Sequence, residues 1–173
     1  HVALECALKT QPNICLVSEE VAAKKMSLSA IADYIADSVE ARGNKGMNFG
    51  VAIIPEGVVE FVPEFSVLIH EINELLAGSK ADAFNALPTW EEKYAFIEAG
   101  LTKESMEVFA LLPQAIQQQL FLDRDPHGNV QVSLIESEKL FSALVKENLA
   151  ARKAAGTYNG KFGALHHFLG YEG

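Results

Sequence analysis

A single carboxylate in the first third of the chain has the setting of a ligand-binding group. Glu56 follows the apolar run of residues 49–54 and stands between Pro55 and Gly57. The carboxyl ends of strands in an open parallel sheet face the ligand crevice, and a carboxylate accepts hydrogen bonds from hydroxyl groups. With a glycine beside it that permits close approach, Glu56 is suited to bind a sugar. The pattern fits an ordinary turn glutamate about equally well.

A weaker signal lies at the end of the sequence. Tyr171 and Glu172 stand between Gly170 and Gly173, after an apolar stretch. A phenol and a carboxylate can both hydrogen-bond a polar ligand. The Gly-x-x-Gly pattern is frequent in loops, so these residues carry little weight by themselves.

Two loop motifs are incomplete. Asp123, Asp125 and Gly128 match the first half of a calcium-binding EF-hand loop, but Leu134 stands where a bidentate glutamate is required. Residues 156–162 resemble a phosphate-binding loop, yet have three residues between the glycines and no Ser or Thr to meet magnesium. We therefore expect no calcium site, and a flexible loop at 156–162.

The histidines and cysteines favour structural roles. His166 and His167 are adjacent, so on a regular element they point in different directions. His70 falls beside an apolar helical stripe and is predicted to be a surface or boundary residue. Cys6 and Cys15 lie in apolar runs without zinc spacing, which predicts core positions.

The first sixty residues indicate an α/β arrangement with a parallel sheet. Residues 2–9 are apolar almost all round, which predicts a short buried helix. Continuous apolar runs at 14–17 and 49–54 are typical of strands covered on both faces. Leu28 begins a helix with apolar residues at spacings of three and four. The order of elements predicts the fold class α/β.

From Pro63 onwards the pattern is helical. Gly78 is expected to end the first of these helices, and Thr89 with Glu92 matches a capping box that opens the next. The predicted helices cover residues 64–77, 90–100, 103–111, 113–122 and 136–153.

Composition narrows the class of protein. The 173 residues are 49% hydrophobic and 21% charged, as in globular domains. Fourteen Lys and Arg against 23 Asp and Glu give 14 − 23 = −9, which disfavours nucleic-acid and anionic membrane partners. Two cysteines without a glycosylation sequon favour a reducing compartment. The chain begins with His1 instead of Met, and we expect it to be a piece of a larger protein.

Four collinear blocks carry a family resemblance. They are residues 2–8 with 11–13, residues 50–58 with 60–64, residues 122–133 and residues 168–173. Together they resemble the long-clade pyrophosphate-dependent phosphofructokinases, which phosphorylate fructose 6-phosphate with pyrophosphate. The third block, Leu-Asp-Arg-Asp-Pro-His-Gly-Asn-Val-Gln-Val-Ser, is the most specific. The chain is similar to an internal fragment of such an enzyme.

The resemblance implies an organisation in three parts. Residues 1–62 would be part of an α/β sugar-phosphate-binding lobe, residues 63–155 a helical insertion, and residues 156–173 a return segment. Within that framework Glu56 would contact the fructose. Tyr171, Glu172 and Gly173 would line the sugar-phosphate pocket.

The resemblance also implies what this chain does not carry. The pyrophosphate loop, the Mg²⁺-binding aspartate and the aspartate general base lie upstream in the family, so no catalytic residue and no metal ligand is assigned here. The parent would be a cytoplasmic, glycolytic transferase, as a homodimer. We expect the isolated chain to be inactive. Two alternatives remain: a non-enzymatic helical interaction domain, and a fragment of an ATP-dependent phosphofructokinase.

Overall fold

The computed structural model describes residues 2–122, 124–125 and 128–164. In chain order the elements are α1 (Val2–Thr10), β1 (Ile14–Cys15), α2 (Ser18–Ala23), α3 (Leu28–Gly43), β2 (Ala52–Ile53), a 3₁₀ helix (Glu56–Phe61), α4 (Pro63–Leu75), α5 (Ser79–Asn85), α6 (Trp90–Gly100), α7 (Lys103–Leu111), α8 (Gln114–Leu122), a second 3₁₀ helix (Val132–Leu134) and α9 (Ser137–Ala154). The two 3₁₀ helices are called the Glu56 helix and the Val132 helix.

The contacts divide the chain into two units. The α/β unit consists of the described parts of His1–Val17, Leu28–Pro55 and Glu136–Gly173, and the helical unit consists of Ser18–Ser27 and Glu56–Ile135. Helix α9 thus belongs to the α/β unit, although the predicted boundaries group it with the helical segment. Those boundaries concern a larger protein and stay a prediction.

The α/β unit contains a parallel strand pair, in agreement with the expected parallel pairing. Ile14 pairs with Ala52 and Cys15 with Ile53. Backbone hydrogen bonds on either side of the pair, such as Leu16 N to Ile53 O at 2.9 Å, prolong the contact. The strands are shorter than the predicted runs. The described structure is mostly helical, with a small parallel sheet that is compatible with part of an α/β protein.

Three expectations about burial are wrong. No residue of α1 is buried, and the side chains of Phe49 and Val51 beside β2 are 78% and 60% exposed. Cys6 is exposed and Cys15 is half-buried, so neither lies in the core, and no disulfide joins them. A continuous apolar run predicts coverage on both faces, but the described residues of this unit do not supply that cover.

Helices α3 and α9 pack against each other and form the core of the α/β unit. Ile31 and Ile35 on α3, and Leu140 and Phe141 on α9, are buried as the apolar spacing predicts. Arg152 ties the same two helices together at the surface.

The Arg152 guanidinium contacts three carboxylates of α3. Nη1 lies 2.7 Å from Asp37 Oδ1 and 2.9 Å from Glu40 Oε2, and Nη2 lies 3.5 Å from Asp33 Oδ1. Hydrogen bonds to Glu40 and then to Asp37 raise the pKa of Arg152. Asn148 adds a hydrogen bond from its amide to Asp33 Oδ1 at 2.6 Å.

Aromatic rings form the centre of the helical unit. Phe84 of α5, Phe109 of α7 and Phe121 of α8 are buried, and the rings of Phe109 and Phe121 meet edge to face at 5.6 Å. Such pairs add to the free energy of burial. Helix α5 has no counterpart among the predicted helices. The prediction that Gly78 ends α4 is wrong, because α4 ends at Leu75 and Gly78, with φ 62°, is the N-cap of α5.

Two helices of this unit begin with threonine caps. Thr89 and Glu92 form the predicted capping box at the start of α6. At the start of α7 the carboxylate comes from another helix: Thr102 N and Oγ1 donate to Glu71 of α4, at 2.9 Å to Oε2 and 2.8 Å to Oε1. The Glu71 bonds therefore fix α4 to the start of α7.

Candidate functional site

Glu56 is the first residue of the Glu56 helix, and its side chain is exposed. Along the chain it follows the last residue of β2 by three positions, as the sequence predicts for a residue after a strand. The expected turn is instead the beginning of a 3₁₀ helix, because Val58 and Val59 are fully buried and draw the backbone inward. Glu56 is thus an exposed residue on a backbone that the buried side chains of Val58 and Val59 anchor.

The Glu56 helix is held on three sides. Helices α2 and α4 and the Val132 helix all lie against it. At its end, Val62 is fully buried and Pro63 takes the first turn of α4, where its missing N–H costs nothing. Ser66 Oγ donates to Glu60 O at 2.9 Å.

Gly57, the residue after Glu56, has open space where a side chain would begin. A Cβ built on it would meet no atom within 4 Å. Packing therefore does not require glycine here, and a ligand can approach the backbone closely. Together with an acceptor-only carboxylate, the space suits recognition of a hydroxyl-bearing molecule.

The other predicted site residues cannot be placed beside Glu56. Tyr171, Glu172 and Gly173 lie outside the described residues, as do His166 and His167. Their roles stay predictions. His70 is exposed and its Nε2 lies 3.4 Å from Glu74 Oε1, which confirms the predicted surface position.

A cavity of about 620 Å³ opens beside the Glu56 helix within the helical unit. Glu60 and Ser66 line one side, and Asp125 with residues 130–132 lines the other. Among the described residues, the lining has two carboxylates and no cationic side chain, so it does not suit a phosphate group.

Residues 124–125 and 128–130, which contribute Asp125 and Val130 to the cavity lining, are fixed by a hydrogen-bond network that the sequence patterns did not reveal. Arg124 and Val130 form an isolated antiparallel bridge. Asn73 Oδ1 of α4 accepts from Arg124 Nη1 at 3.0 Å and from Val130 N at 2.9 Å. The sequence signal was only a turn-rich cluster, because nothing in the spacing links position 73 to positions 124 and 130.

The EF-hand resemblance has a local explanation. Asp125 Oδ1 accepts from Asn129 N at 2.8 Å, and Gly128 takes φ 84° in the same turn. The carboxylate therefore serves the turn. Among residues 2–122, 124–125 and 128–164 there is no group of three or more His, Cys, Asp or Glu that could hold a metal ion.

The glycines of residues 156–162 also have structural roles, whereas the expected flexibility of this loop stays a prediction. Gly156 has φ 81°, its N–H donates to Lys153 O, and Thr157 N donates to Arg152 O. This is the Schellman ending of a helix. A Cβ on Gly160 would lie 2.3 Å from the hydroxyl of the buried Tyr158, so close packing requires glycine there.

Comparison with known proteins identifies relatives along the entire chain. A protein of Treponema pallidum named pyrophosphate–fructose 6-phosphate 1-phosphotransferase is 49% identical over 173 residues, covering 100% of this chain and 30% of its own length. The beta subunits of the same name from Solanum tuberosum and Arabidopsis thaliana (beta 1) are each 49% identical over 100% of this chain and 29% of their own length. This chain belongs to the pyrophosphate–fructose 6-phosphate 1-phosphotransferase family.

The family assignment confirms the resemblance carried by the four sequence blocks. No family model matches the chain. The chain spans about three-tenths of the length of these relatives. Among the described helices, none is long and apolar enough to cross a membrane.

Proposed function

We propose that this chain is part of an enzyme that transfers a phosphoryl group from pyrophosphate to the 1-hydroxyl of fructose 6-phosphate. The bond from the bridging oxygen of pyrophosphate to phosphorus breaks, a bond from the sugar oxygen to phosphorus forms, and phosphate leaves. The proton of the hydroxyl passes to a general base that is expected in another part of the complete enzyme. The observation that carries the proposal is 49% identity over the whole chain to proteins named for this reaction.

Glu56 is proposed to bind the fructose. Both substrates carry negative phosphates, so a carboxylate that contacts the sugar must face its hydroxyl groups, which donate hydrogen bonds to it. The exposed side chain of Glu56 and the open space at Gly57 support this role. Its contribution is orientation: a fixed acceptor alcohol makes in-line attack effectively unimolecular.

Tyr171, Glu172 and Gly173 are proposed to line the sugar-phosphate pocket, on the sequence resemblance alone. Neither the donor-binding residues nor a general base is assigned to this chain. Mg²⁺ is proposed as the cofactor of the complete enzyme, where it would neutralise charge on pyrophosphate. The described residues offer no fitting group for it, so its ligands are expected in other parts of the complete enzyme.

The remaining features of the complete enzyme are also proposals. Residues 1–62 and 156–173 would form part of a parallel-sheet sugar-binding lobe, with residues 63–155 inserted as a helical segment. A cytoplasmic, glycolytic homodimer is proposed. The names of the potato relatives, subunit alpha and subunit beta, support a multimeric assembly in that species.

The test is Glu56→Gln in the complete enzyme that contains this chain. The amide keeps the shape but loses the charge, and a hydrogen bond to a charged group contributes about 1.5–3 kcal/mol. The KM for fructose 6-phosphate is expected to rise by roughly ten- to a hundredfold, since 1.4 kcal/mol is about tenfold. The KM for pyrophosphate should stay unchanged.

Glu60→Gln is the matched control for that experiment. It removes an equal charge from an exposed glutamate on the same helix. An unchanged sugar KM in Glu56→Gln, or an equal rise in Glu60→Gln, would remove Glu56 from the site.

A further inference from the structure

The position of the Glu56 helix depends on a segment seventy residues later in the sequence. The Val132 helix lies against it. Val58 and Val59 of the Glu56 helix are both at 0% exposure, and Ile135, directly after the Val132 helix in the same unit, is at 1%. The cavity lined by Glu60 and residues 130–132 lies between the two segments. A shift of residues 130–134 would therefore also displace the helix that carries Glu56.

Asn73 fixes where that segment begins. Its Oδ1 accepts one hydrogen bond from Val130 N, at 2.9 Å, and one from Arg124 Nη1, at 3.0 Å. A carbonyl oxygen has two acceptor sites, so one atom of α4 uses both of them on the two sides of the Arg124–Val130 bridge. Val132 follows Val130 by only two positions, so the Val132 helix inherits this placement.

Arg124 completes the arrangement from within. Nη1 also donates to Gly128 O at 2.5 Å and Nη2 to Ile72 O at 3.4 Å. Nε is buried without a hydrogen-bond partner among the described residues. Burial lowers the pKa of Arg124, and the neighbouring Asp125 opposes this effect.

This polar arrangement is an unfavourable way to stabilise the fold. A half-buried guanidinium that relies on neutral oxygens loses hydration, and apolar side chains at such positions often give equal or greater stability. What the polar network supplies is a single geometry, because each donor and acceptor has one fitting partner.

We propose that Asn73 and Arg124 are positioning residues for Glu56, acting through the Arg124–Val130 bridge and the Val132 helix on the Glu56 helix. The inference rests on the proposed function, in which Glu56 binds the fructose. It gives the bridge and the Val132 helix a part in sugar recognition.

The test compares two residues of α4 in the complete enzyme. Asn73→Ala removes both hydrogen bonds to the bridge and should raise the KM for fructose 6-phosphate by roughly tenfold, since misplacement by about an ångström can cost up to about a hundredfold. The KM for pyrophosphate should not change. Glu71→Gln is the control. Glu71 lies two residues before Asn73 on α4, and its substitution weakens the cap of α7 but should leave both KM values unchanged.

Conservative variants separate positioning from loss of stability. Asn73→Asp retains the two acceptor sites and should restore the sugar KM. Arg124→Lys keeps the positive charge but loses the forked geometry of the guanidinium, so it should raise the sugar KM. This variant also tests the proposal if Asn73→Ala does not fold. In a Glu56→Gln background, Asn73→Ala should add no further rise, because the two changes act on one interaction.

The possible failures are distinguishable. If Glu56→Gln leaves the sugar KM unchanged, the proposed role of Glu56 is wrong. If Glu56→Gln raises it but Asn73→Ala does not, the positioning proposal alone is wrong. Equal rises in Asn73→Ala and Glu71→Gln would indicate general destabilisation and also overturn it.

Discussion

Two glutamates of the helical unit differ in their surroundings. Glu71 accepts hydrogen bonds from the backbone and the hydroxyl of Thr102. Burial acts to raise its pKa, but the bonds from Thr102, together with contributions from Ser105 and His70, outweigh that effect and hold the pKa below its ordinary value. Glu56 stands exposed on an anchored helix with open space beside it. The first carboxylate serves the fold, and the second is the proposed contact to the sugar.

The lowered pKa of Glu71 predicts an acid-sensitive contribution to stability. A carboxylate whose pKa is lower in the folded state stabilises the fold above its unfolded-state pKa, and this contribution is lost as pH falls through the folded-state pKa. The unfolding midpoint in urea should therefore differ between wild type and Glu71→Gln at neutral pH. The difference should shrink as the pH falls below 4.5, the ordinary value. A constant difference across that range would contradict the role.

Close packing between elements is sharpest where α6 ends. A Cβ on Gly100 would lie 2.3 Å from Cδ1 of Leu75, a buried residue at the end of α4. Gly100→Ala is expected to lower the free energy of unfolding by about 1–3 kcal/mol through overpacking. Gly57→Ala in the same unit meets no atom within 4 Å and should be neutral. Urea denaturation of both variants measures the contrast, and equal stabilities would refute it.

The surface contact between α3 and α9 should depend on salt. Arg152→Gln leaves three carboxylates of α3 without their cation, which is expected to cost about 1 kcal/mol in dilute buffer. Screening should reduce the loss at high ionic strength. Lys146→Gln removes an equal charge from an exposed site on the same helix and should cost nothing measurable. A loss that is the same at low and high salt would exclude the electrostatic explanation.

Local patterns in the sequence predicted individual elements well. The apolar spacing at Ile31 and Ile35 found the buried face of α3, and the capping box at Thr89 found the start of α6, because both depend on neighbours within four residues. The two strands were correctly predicted as parallel partners, but the predicted strands were longer than the observed ones. Helix α5 was missed, since Gly78 was interpreted as an ending.

Contacts between distant positions were not predictable from spacing. Neither the Arg124–Asn73 pairing nor the bonds from Thr102 to Glu71 leaves a periodic signal, since each joins residues more than thirty positions apart. The candidate site divides in the same way. Glu56 was predicted as a candidate from its place after a strand and stays a prediction, whereas the contacts that hold its helix became visible only in three dimensions.

At the scale of the molecule, apolar side chains around the small sheet are exposed to solvent. Leu8 of α1 is 73% exposed and Phe49 beside β2 is 78% exposed. Single exposed apolar residues are ordinary, but a helix of a folded domain normally buries one face, and α1 has no buried residue. The chain spans about three-tenths of the length of its relatives, and we propose that the sheet continues in the rest of the complete protein.

The isolated chain is predicted to be catalytically inert. It carries the proposed sugar contact but no assigned residue for pyrophosphate or for proton removal. With purified chain, fructose 6-phosphate, pyrophosphate and Mg²⁺, no fructose 1,6-bisphosphate should form. The complete enzyme is the positive control. Product from a preparation free of contaminating kinase would disprove this prediction.

The pairing of α3 with α9 has a consequence for biosynthesis. Residues 56–135, eighty positions belonging to the other unit, are translated between the early segments of the α/β unit and its final helix. At about 5–20 residues per second, the ribosome needs roughly 4–16 s to cross them. During that interval the aliphatic face of α3 has been made but its partner has not, so nascent chains are expected to recruit chaperones until α9 emerges.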